Sequence, residues 1–71
     1  MNKKKARLIF GQAVKRLRKE RSWTQKELAK RAKISRSYLQ RIEGKKSANV
    51  SVDTIKKIAN AFKVEMSNLF F

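Results

Sequence analysis

Arg36, Ser37, Gln40 and Arg41 are spaced so that a helix would carry all four on one side. Each bears a hydrogen-bond donor, two are permanently charged, and no acid interrupts the row. Such a row suits a partner that is negatively charged and studded with acceptors. An arginine fork can meet O6 and N7 of guanine together, and a glutamine can pair with adenine or donate to a phosphate. The same residues do not suit catalysis. The chain has no histidine and no cysteine. Glu43, just beyond the row, has no second carboxylate or base placed to share a proton transfer. An enzyme is therefore the least supported class, and no metal or other cofactor is implied.

The charge balance points the same way. In 71 residues, 20 Lys and Arg stand against 5 Asp and Glu, a net charge of +15. Seventeen of the 20 basic residues lie within positions 1–46, and only Lys56, Lys57 and Lys63 lie beyond. This asymmetry implies a polyanion partner, nucleic acid first and anionic lipid second. A merely solubilising surface explains it less well at this density. No apolar run approaches the length of a membrane span, and Leu8-Ile9-Phe10 is too short for the core of a signal peptide. Cytoplasmic residence is the expectation, and the lack of cysteine fits a reducing compartment.

The elements that must hold the row are legible as helices, since apolar residues recur at helical spacing and proline is absent. Residues 1–5 read as a flexible basic arm and 6–71 as one domain. A first helix is expected over 6–21, with Phe10, Ala13, Val14 and Leu17 as its apolar stripe. Gly11 inside it costs about 1 kcal/mol of helix propensity, which a close helix contact would justify. Thr24-Gln25-Lys26-Glu27 is a capping box that opens a second helix ending near Ala32. Trp23 and Leu28 flank it as a hydrophobic staple would. Ser35 caps a third helix, with Leu39 and Ile42 inward and Gly44 at its C-terminus. Ser51 caps a fourth over 52–62, with Val52, Ile55, Ile58, Ala59 and Phe62 at core spacing. A short fifth element over 67–71 closes the chain. Two short helices about three residues apart, the second exposing polar side chains, form a helix-turn-helix.

The run Trp23-Thr24-Gln25-Lys26-Glu27-Leu28-Ala29, then Ser35-Arg36-Ser37-Tyr38-Leu39 and Arg41-Ile42-Glu43-Gly44, resembles the lambda-repressor-like (XRE-type) helix-turn-helix family. The likeness covers residues 7–70. It implies an all-α, five-helix, lambda-repressor-like DNA-binding domain with the paired helices second and third. Asn49-Val50-Ser51-Val52, Lys57 to Phe62 and Leu69-Phe70-Phe71 are similar to controller proteins of restriction–modification systems. The segment Gly44 to Asn49 is one residue longer than in those controllers.

The resemblance implies a role for each matching position. Arg36 and Ser37 would read bases, with Gln40 and Arg41 one turn on. Thr24 and Gln25 would hold a phosphate at the start of the second helix, with Ser35, Tyr38, Lys45 and Lys46 as further phosphate contacts. Tyr38 could equally pack against the second helix. Arg18 and Glu43 match a pair that ties the first helix to the end of the third. Lys33 stands where the family has a left-handed glycine, and Ser22 where glycine is common.

One helix reads only a few base pairs, so a symmetric homodimer on an inverted repeat is expected. Val64, Met66, Leu69, Phe70 and Phe71 are the candidate interface. The implied partners are double-stranded DNA, a second copy and RNA polymerase, with no membrane. The implied function is transcriptional regulation, by a restriction–modification controller or by a phage-type or mobile-element repressor. The rivals from other classes are a basic membrane-active peptide and an RNA-binding peptide.

Overall fold

The computed structural model describes residues 3–44 and 50–70, with side chains over 9–44 and 50–69. Among the described residues the fold is all-helical: α1 (Lys3–Glu20), α2 (Gln25–Ala32), α3 (Arg36–Glu43), α4 (Val52–Phe62) and a 3-10 helix (Met66–Phe70). α1 begins three residues earlier than its pattern requires. Nothing in Lys3-Lys4-Lys5 opposes a helix, since lysine is a good helix former and no cap or breaker follows. The closing element is a 3-10 helix over Met66–Phe70 and not over 67–71, and Phe71 lies outside the described residues.

Three helices start on side-chain caps. The Thr24, Ser35 and Ser51 hydroxyls accept from the backbone N–H groups of Glu27, Tyr38 and Thr54 at 3.1, 3.0 and 3.1 Å. At Thr24 the capping box is complete, because Glu27 reaches back to the cap.

Three helices also stop alike. Ser22, Lys33 and Lys63 take φ of 57°, 58° and 58° after α1, α2 and α4. The next residue then donates back over the final turn: Trp23 to Arg18, Ile34 to Ala29, and Val64 to Ala59, at 3.0, 3.0 and 3.1 Å. This Schellman arrangement satisfies carbonyls that would otherwise lack donors and turns an apolar side chain back toward the core. Gly44 also closes its helix, but at φ −76°, so it does not use the left-handed freedom expected of it.

Among the described residues, Phe10, Val14, Leu28, Leu39, Ile58 and Leu69 are the largest fully buried side chains. α1 packs against α3 and the 3-10 helix, while α2 packs against α3 and α4. At Gly11, α1 lies close against the backbone of α3. A Cβ there would collide with the Ile42 carbonyl oxygen, so the glycine is required by packing. Two apolar assignments change. Val52 is 61% exposed, and Thr54 is buried in its place. As the first residue of α4, Val52 precedes the part of the helix that reaches the core. Leu69 is 0% exposed within the single chain, so it is core and cannot serve a subunit interface.

A candidate nucleic-acid interface

α3 is short and anchored at both ends. Leu39 and Ile42 are buried, and Ser35 caps its N-terminus. At its C-terminus Glu43 is bound from two other helices. Arg18 Nε donates to Glu43 Oε2 and Arg18 Nη2 to Oε1, both at 2.9 Å. The two side chains are 11% and 2% exposed, and Arg18 Nη1 also donates to the Trp23 carbonyl at 2.8 Å. This bidentate pair fixes orientation as well as distance. Gln25 Nε2 adds a third bond to Glu43 Oε1, at 3.2 Å. One carboxylate therefore joins the end of α3 to α1 and to the first turn of α2.

With the helix so held, Arg36, Ser37, Gln40 and Arg41 are all exposed. Tyr38 is half-buried against the core, and Arg41 lies over its ring at 5.6 Å. A planar cation over an aromatic face is restrained without giving up its donors. The exposed row carries two fixed positive charges, two neutral polar groups and no carboxylate.

Thr24 and Ser35 are exposed, but both hydroxyls already accept a backbone bond, and Thr24 also donates to Glu27 Oε1 at 3.2 Å. Gln25 is half-buried and spends one amide hydrogen on Glu43; the other remains for a ligand. Backbone N–H groups in the first turns of α2 and α3 lie beside these side chains and favour anions. Lys45 and Lys46 lie outside the described residues, as does the whole segment 45–49. Val64 and Met66 are half-buried against the core, and the side chains of Phe70 and Phe71 lie outside the described residues.

Sequence reading missed one cluster. The Trp23 and Phe62 rings stack at 5.6 Å, Arg31 covers Trp23 at 4.3 Å, and Arg21 lies over Phe62 at 4.9 Å. Arg21 Nη2 also donates to the Phe62 carbonyl at 3.0 Å, tying the ends of α1 and α4 together. The aromatic residues were visible in sequence, but nothing local paired them across 39 positions.

A family model described as Helix-turn-helix matches residues 14–69. The immunity repressor protein of Bacillus phage phi105 is 44% identical over 60 residues, covering 84% of this chain and 41% of that protein. The chain spans about half or less of the length of the curated relatives it matches. Among solved structures, the restriction–modification controller protein C.AhdI from Aeromonas hydrophila superposes with a TM-score of 0.83 at 34% identity, over 90% of this chain and 96% of that one. The biofilm master regulator SinR, solved in complex with DNA, superposes with a TM-score of 0.80 at 32% identity, over 87% of this chain and 98% of that one.

Proposed function

We propose a function from one established premise: this chain belongs to the helix-turn-helix family. It acts as a sequence-specific, double-stranded-DNA-binding regulator of transcription, as a homodimer on an inverted repeat. The observation that carries this reading is the exposed, acid-free row Arg36, Ser37, Gln40 and Arg41 on a helix locked at both ends. A single α-helix fits the major groove of B-DNA, and these side chains match the acceptors on base edges there. A solved relative in complex with DNA and relatives that are repressors or controllers support it.

Placement supports a separate role for each residue of the site. Arg36 and Ser37, at the N-terminus of α3, read bases, with Gln40 and Arg41 beside them. Thr24, Gln25, Ser35 and Tyr38 contact phosphate together with the first-turn N–H groups of α2 and α3. Val64 and Met66, both half-buried, form the margin of a dimer contact, with Phe70 and Phe71 following a few residues later in the sequence. Bound at a promoter, the dimer blocks or recruits RNA polymerase. Cytoplasmic action fits this reading, and among the described residues no helix is long and apolar enough to cross a membrane.

Two regulatory roles fit the relatives. Similarity to C.AhdI along almost all of that protein favours a restriction–modification controller. The 44% identity to an immunity repressor favours a phage-type repressor. The controller is our reading of the two. Selection from random duplex DNA tests the function. An enriched inverted repeat with half-sites about one helical turn apart is expected. Finding that repeat upstream of a restriction endonuclease gene supports the controller, and finding it in a prophage control region supports the repressor. A pool with no enriched sequence would overturn the function itself.

A further inference from the structure

Two lysines occupy left-handed backbone, Lys33 and Lys63. Glycine adopts this conformation without strain, whereas a side chain crowds the following carbonyl. Each lysine follows a helix C-terminus, where positive charge meets the negative end of the helix dipole. That attraction is common to both, so it does not distinguish them. Their neighbours do. Lys63 leads from α4 into the closing 3-10 helix. Lys33 lies in the turn that enters α3, two residues before the Ser35 cap and at most about 7 Å of chain from it.

The Lys33 side chain is exposed. The ion pairs among the described residues use Arg16, Arg18 and Lys57, so its charge is not spent on any carboxylate among them. The exposed residues that follow it are Ser35, Arg36 and Ser37, at the end of α3 assigned above to the groove. A strained position thus holds an uncompensated cation beside the point where a duplex would present its backbone.

We propose that Lys33 is a DNA phosphate-binding residue, its ammonium group meeting a backbone phosphate at the edge of the groove that α3 enters. The inference rests on the DNA-binding reading and adds to it a contact in the turn itself. A lysine acts on phosphate as a point charge and carries no base information. It therefore raises affinity for every duplex alike and adds to the number of counterions released.

Lys33→Gly and Lys63→Gly in the full chain test this, with binding to the selected operator and to a random duplex of equal length followed over a salt series. Glycine is the residue best suited to both positions, so both variants should fold, with Tm unchanged or raised. Lys33→Gly should weaken binding to both duplexes by roughly three- to tenfold. The slope of log K against log salt should fall in magnitude by about 0.9 per subunit. Lys63→Gly should leave affinity and slope as they were, and Lys33→Arg should retain most of the binding. Unchanged slope and affinity in Lys33→Gly would overturn the proposal. So would equal losses in the two glycine variants, because net charge alone would then explain them. If the unmodified protein fails to prefer the operator, base reading by α3 fails, while the slope comparison on either duplex still decides the role of Lys33.

Discussion

Arg18→Met is the perturbation whose size the structure best defines. Methionine keeps most of the apolar stem and removes the guanidinium, which supplies two of the three bonds to Glu43 and the bond to the Trp23 carbonyl. Glu43, 2% exposed, would be left with only the 3.2 Å bond from Gln25. Stranding one member of a buried pair costs about 3–5 kcal/mol. A domain of this length has a total stability of roughly 4–10 kcal/mol, so the variant would lose a third or more of it. Urea unfolding followed through the fluorescence of Trp23, the only tryptophan, measures the loss directly. The double variant Arg18→Met with Glu43→Leu removes both charges. It should recover most of that stability, since apolar replacement of a buried pair is often near neutral. A loss below about 1 kcal/mol in Arg18→Met would refute the anchoring argument, as would a double variant in which the two losses simply add.

Other perturbations should separate packing from recognition. Gly11→Ala gains about 1 kcal/mol of helix propensity, but its methyl group meets the backbone of Ile42, so calorimetry should show a net loss of about 1–2 kcal/mol. A raised Tm would remove the close approach of α1 to α3. Ser35→Ala should cost about 1 kcal/mol in urea unfolding through loss of the α3 cap, and an unchanged midpoint would contradict that role. Leu69→Ala should destabilise the chain by about 2–5 kcal/mol as a core truncation. Met66→Glu should leave the helical circular dichroism intact and shift sedimentation toward monomer. If Leu69→Ala changed only the association state, the division between core and interface would be wrong. Gln25→Ala should weaken binding to operator and random duplex by the same factor, and a loss confined to the operator would count against a phosphate role.

What the sequence discloses here is mostly what is local. The caps at Thr24, Ser35 and Ser51 are legible because a hydroxyl and an N–H three residues on meet whatever else the chain does. The exposed row on α3 is legible for the same reason, since helical spacing alone separates it from Leu39 and Ile42. Amphipathic counting failed at the start of α4, where it favoured Val52 by composition and passed over Thr54. The threonine can be buried because its hydroxyl accepts from Ser51 Oγ at 3.0 Å. Leu69 was misjudged because it lies close to the end of the sequence, while the 3-10 helix that carries it packs against the neighbouring α4 and against α1, far away in the chain. The left-handed turn at Lys63 escaped notice without a glycine to mark it. Its usable signal was the apolar residue just after the helix, Val64, which repeats Trp23 and Ile34. The bond from Gln25 to Glu43 spans 18 positions, and only the folded chain brings the two together.

The specificity ratio of Arg36→Ala tests most directly whether the exposed face of α3 reads base edges in the major groove. Affinities for the selected operator and for a scrambled duplex would be measured at one salt concentration for the unmodified protein and the variant. Loss of about 1–3 kcal/mol on the operator is expected, roughly five- to 150-fold, with relaxed preference at one base position and a much smaller change on the scrambled duplex. Equal loss on both duplexes would mean that Arg36 serves only as charge, and the account of recognition would be contradicted.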